Sequence, residues 1–224
     1  MPTRNMNEQQ LEEYWNNKHP KTDIVYGGRI APNHQEKLLL DVRKFIWVDD
    51  CILKKFVIAQ KIDNLTNDEK ALFWQKYVVQ NYKYISDEED FRYNEYWQFV
   101  FESFYYRHGD CEDMAILTTS LMIGSGIPQF RVRCNAGYVL DQNGQQQGHC
   151  YTSYCRETDN NFVILDWCFL EDSNILISEK KLAKNNDRYK DLWFSFNNLY
   201  SWSYKSYDIF EDINDEPKTL FNGI

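Results

Sequence analysis

Long apolar runs are missing from this 224-residue chain. The longest, such as Phe45 to Val48, are a fraction of the ~20 residues a membrane-spanning helix needs. The N-terminal segment, Met1 to Asn17, is polar and rich in Asn, Gln and Glu. It has no apolar stretch of the kind a secretory leader carries, so the expected location is the cytoplasm. Basic residues are outnumbered: 25 Lys and Arg against 34 Asp and Glu leave a formal net charge of −9. Such a surface repels phosphate backbones and no local basic patch relieves it, which argues against a nucleic-acid partner, while the absence of a span argues against a membrane one. The six cysteines, at 51, 111, 134, 150, 155 and 168, include no CxxC pair, which weakens zinc and redox readings. With no leader to an oxidising compartment, disulfides are not expected either, and buried reduced thiols are the default for five of the six. Internal repeats, low-complexity tracts and a convincing linker are also lacking. Alanine is scarce, with six residues, beside many Asn, Lys, Ile and Tyr. That bias suits an AT-rich genome such as some phages have, in which case the location would be the host cytoplasm or the virion.

What the chain does have is aromatic bulk, 17% Phe, Trp and Tyr, and enough length for one domain with a sizeable core. Turns are expected at Tyr26-Gly27-Gly28 and Ala31-Pro32-Asn33. Apolar spacing from Lys37 to Ile62 predicts one helix, or two broken near Asp49-Asp50. Thr66 to Glu69 reads as a capping box opening a second helix, and another is expected from about Asn94 through Phe104. After Gly126 the period changes to two. Gln129 to Leu140 predicts a strand with Phe130, Val132, Cys134 and Ala136 on one face and Arg131 and Arg133 on the other. Asp141 to Gly144 predicts a hairpin turn, His149 to Arg156 a second strand, Thr158 to Asn161 a turn, and Phe162 to Phe169 a third strand. Ser178 to Asp191 is a helix candidate and Leu192 to Tyr207 an aromatic strand pair. The fold class is α+β, a helical first half packed on an antiparallel sheet.

The chemistry concentrates in Gly109-Asp110-Cys111-Glu112-Asp113. A turn precedes Cys111, and helical periodicity follows it through Met114, Leu117 and Leu121. A cysteine in the first turn of a helix meets unpaired N–H groups and a dipole that favour its thiolate. The flanking carboxylates oppose this, so a cationic partner is needed, and an imidazolium would serve. His149 opens the strand after the hairpin. Asp166 lies 17 residues on, roughly level with it across the next turn. A carboxylate inside the apolar run Val163-Ile164-Leu165-Asp166-Trp167 demands a partner, because an unpaired buried charge costs several kcal/mol. Alternation along the strand directs Cys150 away from the His149 face. A zinc module built on cysteines 134, 150, 155 and 168 is the competing use of these residues.

Asn81-Tyr82-Lys83-Tyr84, Tyr96-Trp97-Gln98, Gly109 to Asp113, Gly126-Ile127-Pro128, Gly148-His149 and Leu165-Asp166-Trp167, in that order, resemble the transglutaminase-like superfamily of papain-type cysteine enzymes. The bacterial and phage cysteine-proteinase branch is the nearest in pattern. One departure is Gly-His-Cys-Tyr where many relatives carry Gly-His-Ala-Trp. The resemblance implies Cys111 as nucleophile at a helix N-terminus, His149 as base and acid, and Asp166 as orienting carboxylate. It also offers Gln98 or Trp97 as oxyanion donor, with Asp110, Glu102 and Trp167 in support. The chain is expected to form one enzyme domain over residues 37–207 (motif core 77–169), with 1–36 as a polar N-terminal extension and 208–224 as a tail, the first 70 and last 50 or so residues lying outside the resemblance. The expected activity is acyl transfer through a thioester, hydrolysing a peptide, isopeptide or side-chain amide bond of a protein or peptide substrate. No cofactor or metal is called for. Cross-linking by a transglutaminase is one alternative. Another is a catalytically silent fold serving a phage virion or assembly partner through the aromatic C-terminal region.

Overall fold

The computed structural model describes residues 6–19, 21–22, 26–30, 37–92, 95–169, 172–189 and 191–203. Its centre is helix α6, Cys111–Gly124, in which every residue from Glu112 to Ile123 is buried. A helix apolar or small on all sides can only be a core element. Around it pack α2 (Cys51–Ala59), α3 (Asn67–Asn81) and α5 (Val100–Tyr106) on one side. On the other side lies an antiparallel sheet in the order β1 (Lys21–Thr22), β10 (Ser201–Ser203), β9 (Asp191–Phe196), β6 (Val132–Leu140), β7 (Gln146–Cys155), β8 (Phe162–Leu165). The fold is α+β, as the switch of period at Gly126 predicts.

Alternation sorts the sheet into two faces. Val132, Cys134, Ala136, Cys150, Tyr154, Val163 and Leu165 join the helical core around α6. Thr152, on that same face, donates to the Ala115 carbonyl of α6 at 3.1 Å. Tyr151, Cys155, Phe162 and Ile164 face the opposite way, into a second core closed by Leu11 and Trp15 of helix α1 (Glu8–Lys18) and by Trp202. The Asn7 side chain caps α1, and the Glu8 carboxylate takes the buried Arg131 guanidinium at 2.5 Å. The N-terminal segment therefore contributes to the second core as well as leading in.

Several elements differ from expectation. Lys37–Asp41 is strand β3, paired with β2 (Tyr26–Ile30), so the glycines at 27 and 28 lie within a strand and not a turn. Of the helix expected over 37 to 62, only α2 forms, started by Asp50, whose carboxylate accepts from Ile52 and Leu53 N–H. The helix expected from Asn94 starts at Val100 instead, leaving Trp97 and Gln98 in extended chain. Gln129–Arg131 is a 3-10 turn, which rotates Phe130 into the second core, away from Val132. The third strand stops at Leu165. Among the described residues, Ser178 to Asp191 holds only short 3-10 turns, Ile177–Glu179 at its start and Ala183–Asn185 within it, and no α-helix; the Asn186 side chain accepts the Arg188 N–H, a local bond that competes with a helix. The expected strand pair forms as β9 and β10, with Phe196 and Trp202 fully buried in the core. The turn at residues 31–33, Asn94, and residues 204–224 lie outside the described residues.

The zinc tetrad does not assemble. Cys134 and Cys150 face the helical core, whereas Cys155 lies in the second core across the sheet.

Candidate active site

Cys111 is the first residue of α6, and the segment before it is fixed on both sides. Short strand β5 (His108–Gly109) runs parallel to β4 (Lys83–Tyr84). Asp113, fully buried, accepts from the Asp110 backbone N–H at 3.1 Å through one carboxylate oxygen and from the Gln98 N–H at 2.7 Å through the other. Gly109 makes room for it, since a Cβ there would strike the Asp113 side chain. The two loops that reach Cys111 are thus tied to its own helix.

His149 and Asp166 are joined directly. His149 Nε2 lies 2.7 Å from Asp166 Oδ2, and both side chains are buried. The β7–β8 ladder ends at Thr152 opposite Leu165, which sets Asp166 beside Tyr151, two residues from His149 on the same face. Diagonal neighbours of this kind remain within reach of long side chains. The other Asp166 oxygen accepts the Cys168 backbone N–H at 2.8 Å, and Oδ2 also accepts the Tyr189 hydroxyl at 2.6 Å. Across the β6–β7 pair His149 faces Gly137, where a Cβ would collide with the Asp191 carbonyl of β9.

The Cys111 thiol does not bond to His149. It donates to Glu112 Oε2 at 3.3 Å and is hydrogen-bonded to Cys150, the residue after His149. The bond to Cys150, burial, and the charge of Asp110 hold the thiol well above its ordinary value, so it rests as S–H. Cys150 does point away from His149, which stacks with Tyr151 and packs edge-on against Phe169. That same alternation is what brings Cys150 to Cys111.

The supporting residues are placed as follows. Gln98 is completely buried, and its amide donates to the His108 carbonyl at 3.2 Å. Trp97 Nε1 donates to Glu95 at 3.1 Å, and its ring packs on Phe45 and Phe196. Glu102 accepts from the Tyr96 hydroxyl at 2.9 Å and the Phe99 N–H at 2.7 Å, bracing the Trp97-Gln98 loop. Trp167 stacks on Tyr84 at 5.7 Å. Burial, with the charges of Asp110, Cys111 and Cys168, pushes the Tyr84 phenol up.

Asp87 was not singled out in the sequence. Its carboxylate accepts the Tyr96 N–H and lies within 4.8 Å of donor oxygens of Asp110 and Asp113, and likewise of Glu95 and Glu112. Burial and the Asp110 charge push it up to about 8. Burial also drives Glu112 and Asp113 well above the carboxylate range. Among the described residues none of Asp87, Asp110, Glu112 and Asp113 is paired with a Lys or Arg side chain.

A buried helix headed by a cysteine and packed between a helical layer and an antiparallel sheet defines the α+β architecture of this chain. The Transglutaminase-like superfamily matches residues 57–167, spanning the Cys111 helix, His149 and Asp166. The chain belongs to the transglutaminase-like superfamily. Two solved structures of LapG from Legionella pneumophila share the fold. The EGTA-treated form has a TM-score of 0.52 at 19% identity, over 69% of this chain and 84% of that one. The calcium-bound form has a TM-score of 0.51 at 22% identity, over 70% and 76%. No curated protein matches the chain. None of the described helices is long and apolar enough to cross a membrane.

Proposed function

We propose that this protein is a cysteine hydrolase that cleaves a peptide, isopeptide or side-chain amide bond through an acyl-thioester on Cys111. The observation that carries this reading is the buried His149–Asp166 pair next in the chain to Cys150, which the Cys111 sulfur touches. With Nε2 committed to Asp166, Nδ1 is the ring nitrogen left for the thiol. A change of rotamer at Cys111 takes the sulfur from Cys150 towards it. His149 then removes the proton, the thiolate attacks the carbonyl carbon, and the imidazolium returns the proton to the leaving amine. Water, deprotonated by the same ring, releases the acyl group. The backbone N–H of Cys111 heads a helix and can face the oxyanion. Gln98 can join it only by leaving the His108 carbonyl, and Trp97 only by leaving Glu95.

The test is turnover of a fluorogenic peptide library by wild type and by Cys111→Ala, with a primary amine present in a parallel arm. Hydrolysis lost in the variant supports the proposal. Amine incorporation without hydrolysis would make the protein a cross-linking transglutaminase, and equal turnover by both proteins refutes a Cys111 nucleophile.

One LapG structure is described as calcium-bound, and the donor set here fits such an ion. Calcium takes six to eight oxygen ligands. Asp87, Asp110, Glu112 and Asp113 offer carboxylates without cationic partners, and Asp110 Oδ1 and Glu112 Oε1 are buried without a hydrogen bond. These residues would hold the ion, whose charge would offset their mutual repulsion beside the nucleophile. A rise in melting temperature with calcium over EGTA, absent in Asp87→Asn, is the expected result. Equal melting in both conditions overturns the assignment.

A further inference from the structure

Asp166 Oδ2 receives two hydrogen bonds, and only one of them comes from the histidine. The other comes from the hydroxyl of Tyr189, which at 2.6 Å is as close as His149 Nε2 at 2.7 Å. We propose that Tyr189 is a positioning residue for the His149–Asp166 pair, fixing the carboxylate and setting how strongly it grips the imidazole. The inference rests on the hydrolase reading for its catalytic consequence, though not for its structural test.

The geometry supports a working role over simple packing. Asp166 has three donors, from Cys168 N–H, His149 and Tyr189, each from a different part of the chain. Cys168 alone would leave the carboxylate free to rotate about its Cβ–Cγ bond. Tyr189, with His149, removes that freedom by holding Oδ2. Its ring is locked edge-on against Tyr151 and near Phe169, itself covered by the Arg188 guanidinium, so the hydroxyl has one place to point. Burial and the charge of Asp166 push the phenol far up, which keeps its proton in place and the hydroxyl a donor.

Two donors on one oxygen compete for its electron density. Tyr189 therefore weakens the His149–Asp166 bond while it orients it, and hydrogen bonds that share an atom are coupled in this way. The remaining groups around the pair are Tyr151 on β7, Cys168, and Asp172, Lys181 and Arg188 lining a cavity of about 270 Å³ beside Asp166 and Tyr189. Tyr189 is the member of this set that bonds Oδ2 besides His149. The sequence gives little warning of it, because it sits in an irregular polar stretch with no motif around it.

The experiment is proton NMR of ¹⁵N-histidine-labelled full chain, following the His149 Nε2–H resonance, assigned by its loss in His149→Gln. Tyr189→Phe keeps the ring and removes the donor, and the resonance should move downfield as Asp166 turns to His149 alone. Incorporation of 3,5-difluorotyrosine at position 189 strengthens the donor and should move it upfield. Should Tyr189→Phe fail to fold, the difluorotyrosine protein decides by itself. Where a peptide substrate is in hand, Tyr189→Phe should lower kcat roughly tenfold with KM nearly unchanged, the effect of one hydrogen bond to a charged group. An unmoved resonance in both folded proteins overturns the proposal, whatever the enzyme does. A moved resonance in a protein with no Cys111-dependent turnover upholds the Tyr189 contact and refutes only the hydrolase reading.

Discussion

Replacing Asp166 by asparagine changes one oxygen of a side chain for an N–H₂ group, and the surroundings leave that group nowhere to go. Each carboxylate oxygen now accepts: Oδ1 from Cys168 N–H, Oδ2 from His149 and Tyr189. With the amide nitrogen in the Oδ1 place, two N–H groups confront each other in a buried site, at about 1–3 kcal/mol of stability. With it in the Oδ2 place, the amide donates to His149 Nε2 and drives the ring proton onto Nδ1. That is the nitrogen that must take the thiol proton, so the base is in the wrong tautomer. The equivalent change in a Ser-His-Asp triad lowers kcat about 10⁴-fold, or ~5.5 kcal/mol on the barrier. A similar loss is expected here, together with a urea midpoint lowered by no more than the first figure implies. The assay is the acylation burst with a p-nitrophenyl ester at neutral pH, beside urea unfolding of the same samples. A variant within about tenfold of wild type, and equally stable, would show that Asp166 does not set the state of His149.

Two further predictions concern stability. Lys180 is buried and its amine donates to the Asp172 carbonyl; burial pushes it down to about 8. Between about 8 and the ordinary 10.5 the unfolded chain binds more protons than the folded one, so stability rises with pH through that window and the burden is complete below it. Lys180→Met should therefore stabilise the protein at pH 7, by at most ~3 kcal/mol, and by much less at pH 10.5. Urea unfolding at both values checks this, and an equal gain at both would refute the burial argument. Gly137→Ala puts a methyl group against the Asp191 backbone at the bulge where β6 changes register with β9. Backbone cannot step aside as a flexible side chain can, so a loss of about 1–3 kcal/mol or more is expected in thermal or urea unfolding.

Local signals made the sheet and the central helix legible in the sequence. The Thr66–Glu69 capping box forms as read, with Glu69 N–H donating to Thr66 Oγ1 and Thr66 N–H donating to Glu69. Alternation through Val132–Leu140 and Gln146–Cys155 fixes which side chains share a face. Lys37–Asp41 was misread because Leu38, Leu39 and Leu40 favour a helix locally; the partner strand that decides otherwise is a tertiary fact. The His149–Asp166 bond was expected from level pairing, and it forms diagonally, since the ladder offsets them by two residues. Asp87 and Tyr189 escaped notice because each reaches the site from a distant part of the chain, through one contact that carries no periodicity.

The acids around Cys111 hold the site together and at the same time oppose its chemistry. Asp113 ties the Gln98 loop and Asp110 to α6, Asp87 ties Tyr96, and Glu102 ties Tyr96 and Phe99. Those bonds position the loops on the Cys111 side of the sheet. The charge of Asp110 adds to the forces that keep the thiol protonated, against the pull of the helix N-terminus. Removing Asp87, Asp113 or Glu102 would loosen the loops, because each of these carboxylates also satisfies a backbone N–H that would otherwise be stranded. The net field at the head of α6 therefore favours the thiol over the thiolate. On the hydrolase reading proposed above, the activating charge would come from outside α6, either from the His149 imidazole on the neighbouring strand or from a cation seated among the carboxylates, and in both cases geometry is preserved while the field is changed.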